Sequence, residues 1–278
     1  MRSLAFATDV AVLLASGSAV DPAEGCRVVR TPSNPGFRWG NFLLLDAAPE
    51  AQSVERWRAE HARRFPGSGF TTLGVDDAHP SVDEQEWRSA GFDVDRCPVL
   101  TAHPSDVRTD RGAPRIRAAR SDDDWDGVLA VHRGNADGDE DAFLIAHVAA
   151  LRALVDRGVA EWLLVDDGGR AAASAGLVDC GDGLGRYQEV NTLPAFRRRG
   201  YATALVVALA AVAERMGCTR LVMVAESAGP AADLYRGVGF RDTEEQLLLE
   251  RVDGAGADPP AAAGPDAHAG AGAVSPAA

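Results

Sequence analysis

The sequence predicts a mixed α/β fold, an α+β arrangement of helices on a sheet of mixed strand direction, repeated as two related domains. Three observations predict it. Residues 115–251 alternate apolar runs of strand and helix period without a uniform βαβ repeat. Trp87-Arg88-Ser89-Ala90-Gly91-Phe92 aligns without gaps on Tyr235-Arg236-Gly237-Val238-Gly239-Phe240, near the end of each half. The 278 residues, 46% hydrophobic and 25% charged, are enough for two modest cores. The domains are expected at 1–108 and 113–252, parted by the polar seam Pro104–Pro114. Residues 253–278 hold little that is apolar beyond Ala and Val274, and are expected to be a disordered tail because they cannot bury enough surface to offset ordering entropy.

Taken in order, the apolar run Val10–Ala19 follows Arg2 and superficially has a signal-peptide look, but Asp9 interrupts it. Thr8-Asp9 reads better as a helix N-cap before Val10–Leu14. Arg30–Asn41 mixes turn formers with Phe37 and Trp39, a combination that could line a substrate pocket at the domain interface; the two aromatics are expected instead to pack as a lid or hinge and carry no catalytic role. Phe42–Leu45 is a strand, Val54–Phe65 a helix with Val54, Trp57 and His61 on one side, and Pro66–Gly69 a loop. In the second half, Arg115–Ala118 is a short strand and Ser121–Asp124 caps a helix running to Arg133. Asp139–Arg157 is helical and stopped by Gly158. Strands follow at Glu161–Val165 and Arg170–Val178, joined at Asp166–Gly169. Gly181–Gly185 resembles a dinucleotide fingerprint only superficially, because a strand, Arg186–Thr192, follows it where a helix is required. A helix from Gly200 to Met216, a strand Arg220–Val224, a short helix with Leu234-Tyr235 and a strand around Gln246–Glu250 complete the chain.

The 28 basic and 41 acidic residues give a formal charge of −13, which speaks against a general nucleic-acid or anionic-membrane binder and is compatible with a cationic substrate. No run is long enough to span a membrane. Cys26, Cys97, Cys180 and Cys218 form no Cys-x-x-Cys, so neither a zinc set nor a disulfide framework is indicated and a reduced cytoplasmic setting fits. His61, His79, His103, His132, His147 and His268 lack ligand spacing and read as surface or cap residues. No metal is expected, and oligomeric state is not legible.

The segment Arg197-Arg198-Arg199-Gly200-Tyr201-Ala202 lies between a strand and an Ala/Leu/Val-rich helix. A pyrophosphate needs several backbone N–H groups converging at a helix N-terminus, where unpaired donors and partial positive charge favour an anion. Here Gly200 lets the backbone approach, Ala202 is small, and the arginines add countercharge. Alone, an Arg-x-x-Gly-x-Ala is equally an exposed basic helix start.

Set beside the preceding strand, Pro194, the following strand and Leu234-Tyr235-Arg236-Gly237-Val238-Gly239-Phe240, this motif gives residues 115–251 the element order of a known group. The region resembles the GNAT superfamily of acetyl-CoA-dependent N-acetyltransferases. The resemblance implies a GNAT-like fold in the C-terminal half and acetyl-CoA as co-substrate. It puts the family's phosphate-binding pattern on Arg197, Gly200 and Ala202, with further contacts from Arg198, Arg199, Tyr201 and Thr203. Val190, Asn191 and Thr192 would pair through their backbone with the pantetheine arm, in a gap where that strand splays from Arg220–Val224. The thioester would lie beside Asn191–Leu193. Tyr235 matches the tyrosine that often protonates, as general acid, or hydrogen-bonds the departing thiolate, and it reads alternatively as a core aromatic beside Phe240.

Two departures stand out. Members often carry Asn seven residues before that tyrosine; this chain has Ala228, with Ser227 the nearest polar residue. No motif fixes a general base, although an amine of pKa ~10 must lose a proton before attack. Glu189 and Glu226 are the candidates, each equally readable as an exposed carboxylate. Nothing before residue 110 corresponds to Arg197–Ala202, so the N-terminal half is expected to be a degenerate GNAT-like domain that does not hold CoA. The implied activity is transfer of an acetyl group to a primary amine, direct and in a ternary complex, since no Cys is placed as a nucleophile. A non-catalytic acyl-CoA-binding regulatory or scaffold module is the alternative, and the acceptor, a small molecule or a peptide, is not specified.

Overall fold

A computed structural model describes residues 1–136, 141–226 and 229–252. It divides into two compact units, Met1–Cys97 together with the chain from Glu244, and Pro98–Thr243. The expected 253–278 tail lies outside the described residues.

The first unit begins with α1 (Leu4–Ala15), started by Ser3, whose side chain accepts from the Phe6 N–H. The cap expected at Thr8-Asp9 is therefore inside the helix. The Thr8 hydroxyl donates to the carbonyls of Leu4 and Ala5, and Asp9 accepts from Gln246 at 2.6 Å, so both polar side chains are satisfied while buried. A hairpin of β1 (Ala19–Ala23) and β2 (Cys26–Arg30) follows, then β3 (Phe42–Leu45), α2 (Val54–Arg64), β4 (Phe70–Val75), α3 (Glu84–Ser89) and the start of β5 (Asp93–Ala102). The hairpin was not legible because Asp21-Pro22 in β1 breaks the strand pattern. Phe37 and Trp39 are no lid. Both are buried, with Trp39 tilted on Phe42 at 5.7 Å, because apolar surface beside β3 has nowhere else to go. Trp57, Leu43, Leu45, Leu73, Trp87 and Phe92 form the core.

The second unit holds β6 (Ile116–Ala118), α4 (Asp122–Arg133), α5 (Asp141–Asp156), β7 (Ala160–Asp167), β8 (Arg170–Asp179), β9 (Leu184–Thr192), α6 (Tyr201–Arg215), β10 (Arg220–Val224) and α7 (Ala231–Gly237). The last strand, β11 (Arg241–Val252), starts here and ends in the first unit. Ser121 and Asp124 form a reciprocal capping box on α4. Gly168 and Gly169, both with positive φ, make the tight β7–β8 turn. The strands run β10-β9-β8-β7-β6, with β9 and β10 parallel and the other pairs antiparallel.

The short sequence likeness marks a structural repeat. Strand, helix, strand, short helix and strand recur as β3-α2-β4-α3-β5 and β9-α6-β10-α7-β11. Each short helix ends with the same hydrogen bonds: Phe92 N–H to Trp87 C=O and Phe240 N–H to Tyr235 C=O, both 3.1 Å, and Gly91 N–H to Arg88 C=O at 3.0 Å against Gly239 N–H to Arg236 C=O at 3.2 Å. In both, the helix aromatic packs edge-on to the phenylalanine that follows the turn.

The halves of the chain also exchange their last strands. β10 pairs antiparallel with β5, from Leu221 with Ala102 to Val224 with Val99, and β4 pairs antiparallel with β11, from Leu248 with Gly74 to Val252 with Phe70. The sequence seam at 104–114 therefore falls inside the second unit, which begins at Pro98, and 244–252 build the first unit. Backbone pairing, which composition does not report, sets these limits.

Candidate active site

The separation of β9 and β10 creates the site. Their parallel pairing runs from Leu184 with Arg220 to Arg186 with Val222, yet β9 continues to Thr192 and β10 to Val224, so the strands part beyond Arg186. A single helical turn at Pro194–Phe196 then leads into the arginine segment and α6. Gly200 caps α6 with φ +81°, a left-handed conformation that glycine adopts without Cβ strain. The first α6 bond is Ala204 N–H to Gly200 C=O at 3.0 Å, so the N–H groups of Tyr201, Ala202 and Thr203 fall outside the helical ladder. They border a cleft of about 390 Å³ lined by Thr192, Arg198, Gly200, Ala202, Thr203 and Leu234, among others. The Thr192 hydroxyl is buried with no hydrogen-bond partner among the described residues.

The arginines divide the work. Arg197 turns to the Thr192 carbonyl at 3.4 Å and to Asn135 at 3.1 Å. Arg199 pairs with Asp167 at 2.7 Å and stacks over Phe196, and the Tyr201 hydroxyl donates to the same Asp167 at 2.8 Å. Arg198, with φ +61°, lines the cleft. Arg111, from the segment before β6, lines it too, and an adjoining cleft of about 290 Å³ has both Arg111 and Arg199 in its wall. Arg111 carries no motif and was not legible in the sequence.

Within the stretch that has parted from β10, β9 bulges. Ser174 pairs with Asn191 and Gly176 with Gln188, so Glu189 and Val190 together oppose Ala175 alone, and Glu189 takes φ +48°. The bulge aims Glu189 at two histidines. His132, from the last turn of α4, places Nε2 3.0 Å from Glu189 Oε2 in close contact but out of line for a hydrogen bond, while His147 of α5 hydrogen-bonds Glu189 Oε1 through Nε2. Burial alone would raise the carboxyl pKa, but the charges of His147 and His132 and the bond from His147 overcome it and bring Glu189 down to about 2. Burial lowers His132 below its ordinary value, against the pull of Glu189. Neither histidine is the expected surface residue. His132 follows the buried stripe Trp125, Val128 and Val131, and His147 stands beside Leu144 and Val148, so helical period was the signal that would have found them. His61 is buried as well, whereas His103 does cap the turn at Pro104–Asp106.

Tyr235 is buried in α7, and its hydroxyl has no hydrogen-bond partner among the described residues. Burial, and secondarily the charge of Glu226, raises its pKa, so the hydroxyl keeps its proton. The neighbouring Tyr187 instead donates to the Val206 carbonyl at 2.8 Å. Cys218 is buried, and burial raises its thiol, which leaves it inert as a nucleophile. Ser227 and Ala228 lie outside the described residues. Among the described residues no group of three His, Cys, Asp or Glu has metal-binding geometry, and no helix is long and apolar enough to cross a membrane.

The first unit lacks these features at the equivalent place. β3 and β4 stay paired from Leu43 with Leu73 to Leu45 with Val75, and Asp76 N–H extends the pairing to Leu45 C=O at 2.8 Å. The turn that enters α2, residues 46–53, carries Asp46 and Glu50 with no arginine, and α2 is capped by Ser53 where α6 has Gly200.

The acetyltransferase (GNAT) family matches residues 128–240. No curated protein matches the sequence. Among solved structures, a conserved protein of unknown function from Staphylococcus epidermidis superimposes with TM-score 0.69 at 14% identity, over 84% of this chain and 93% of its own. A GCN5-related N-acetyltransferase from Kribbella flavida does so with TM-score 0.64 at 17% identity, over 92% of this chain and 98% of its own. A tandem GNAT protein from the clavulanic acid biosynthesis pathway gives TM-score 0.53 at 13% identity, over 88% of both chains. At these identities the likeness is one of fold, and it extends through both units. The chain thus carries a GNAT-family acetyltransferase domain, at residues 128–240 of its second unit.

Proposed function

We propose that the second unit transfers an acetyl group from acetyl-CoA to a primary amine, directly and in a ternary complex. The observation that carries this reading is the parting of β9 from β10 beside the N-terminal turn of α6. When bound, acetyl-CoA supplies a thioester whose carbonyl carbon is open to nucleophilic attack. The N–H groups of Tyr201, Ala202 and Thr203, with Arg198 and Arg111, bind phosphate oxygens. The β9 backbone from Val190 to Thr192 has its β10-facing edge unpaired in that register and holds the extended arm as an added strand. Amine nitrogen forms the new bond to the acyl carbon as the C–S bond breaks. Tyr235 gives the sulfur a proton, and the ammonium proton leaves on the Glu189 side. The first unit, closed where the second opens, holds no CoA.

A thiol-release assay with a panel of primary amines tests the reaction. Acetyl-CoA binding without thiol release from any amine, beyond the hydrolytic background, would leave the chain a non-catalytic acyl-CoA-binding module.

A further inference from the structure

Glu189 does not stand alone on the bulge. Each of its carboxylate oxygens meets a different imidazole, Oε1 that of His147 and Oε2 that of His132, and the two rings lie 6.0 Å apart, edge to face. The three side chains come from three elements, β9, α4 and α5, so no local turn brings them together. Phe143 stacks near-parallel on His147 at 5.7 Å. Opposite the bulge, β8 presents Ser174, Ala175 and Gly176, none ionisable, and Arg197 is occupied by Asn135 and the Thr192 carbonyl. Among the described residues, the charges that act on Glu189 are those of His147 and His132, and those that act on His132 are Glu189 and His147. One carboxylate between two imidazoles is a unit of net charge −1 when both rings are neutral, and the next proton it takes goes to a ring, whose positive charge the carboxylate then neutralises.

We propose that an imidazole of the His132–Glu189–His147 cluster, and not the carboxylate, receives the proton lost by the acceptor amine, with Glu189 remaining ionised as the positioning residue between the rings. This rests on the acetyltransfer reading above. The balance is simple: the amine proton passes to an imidazole nitrogen, the ring becomes imidazolium beside Glu189, and the proton returns to solvent after product leaves. Once a ring takes the proton, its positive charge holds the carboxylate ionised, since the charges of His147 and His132 are what lower Glu189 against the effect of burial.

The test couples two readouts on the full chain: imidazole proton NMR titration, with His132 and His147 assigned from His132→Asn and His147→Asn, and the pH dependence of thiol release with an aniline, whose nitrogen stays neutral above about pH 5. In wild type, a histidine titration and the acid limb of kcat should share one midpoint. Removing the carboxylate charge with Glu189→Gln withdraws support from the imidazolium, so both midpoints should move to lower pH by about one unit. His147→Asn should lower kcat about 100-fold while leaving acetyl-CoA affinity unchanged, the latter also reporting an intact fold. If Glu189→Gln erases the acid limb while both histidine variants retain it, the carboxylate is the acceptor and the proposal fails. Absence of thiol release by wild type with anilines and alkylamines alike would sink the acetyltransfer reading itself, and this role with it. Release with unlinked midpoints sinks only this assignment.

Discussion

Nε2 of His132, in the last turn of α4, lies 3.0 Å from Oε2 of Glu189 on the β9 bulge, and both side chains are withdrawn from solvent. The hold of His147 and His132 on Glu189 makes stability sensitive to acid. Glu189 is depressed to about 2 in the folded chain, so its contribution is complete above an unfolded pKa near ~4.3 and is lost as pH falls through about 2. Linkage puts that contribution on the order of 3 kcal/mol. Burial lowers His132, so the unfolded state takes its proton first as pH falls below about 6.5, which destabilises the fold in the same direction. Urea midpoints should therefore drop from about pH 6.5 downward, and Glu189→Gln should flatten the part between about pH 4.5 and about pH 2. An unaltered slope in that variant would show that the carboxylate is not held by the imidazoles.

Two tyrosines in one core should respond oppositely to loss of the hydroxyl. Tyr187→Phe removes the bond to the Val206 carbonyl and should cost about 1 kcal/mol in chemical denaturation. Tyr235→Phe removes a buried hydroxyl with no partner among the described residues, so stability should hold or rise while thiol release falls. Undiminished turnover by Tyr235→Phe with every active amine would remove Tyr235 as the acid.

The exchange of last strands sets the limits of a foldable fragment. A chain running from Pro98 to Thr243 keeps the β5 residues that pair with β10, from Val99 with Val224 to Ala102 with Leu221. One starting at Ala113 leaves β10 with an open edge and buried backbone groups unpaired. The first should be soluble with a cooperative unfolding transition and the second should aggregate. Equal stability of the two would show that β5 is dispensable.

The paired glycines of the repeat have unequal surroundings. A Cβ at Gly239 would sit 2.4 Å from the Asp106 carbonyl oxygen, at φ +119°, whereas one at Gly91, φ +82°, meets only the Arg251 side chain at 3.5 Å. Gly91→Ala should cost about 1 kcal/mol from backbone strain alone. Gly239→Ala adds a clash with main chain and should cost at least about 3 kcal/mol. Similar thermal shifts for the two would contradict this packing.

Much of this was legible where period and punctuation agree. Ser121 announced α4, Gly168-Gly169 the β7–β8 turn, and Gly200 and Gly217 the limits of α6, because caps and positive φ are chemical demands on single residues. The Trp87 and Tyr235 segments likewise marked a true repeat, down to matching hydrogen bonds. What stayed hidden depends on partners distant in sequence. The exchanged strands are a matter of pairing between residues more than a hundred positions apart, as Val99 is from Val224. The two imidazoles on Glu189 come from helices 42 and 57 residues away, 189 − 147 and 189 − 132, and became a cluster only through a bulge. Arg111 lies outside every motif and reaches the cleft by the path of a loop.

The central claim, that acetyl-CoA is held at the N-terminal turn of α6, is tested most directly by calorimetric titration of acetyl-CoA into the full chain and its variants. Wild type should bind in one-to-one ratio. Gly200→Glu should abolish binding by putting a carboxylate where phosphates are held, and Arg198→Glu should weaken it at least about tenfold. Arg199→Glu should weaken it less, since Arg199 is already committed to Asp167. Absence of binding by wild type, or affinity unchanged in Gly200→Glu, would contradict the account.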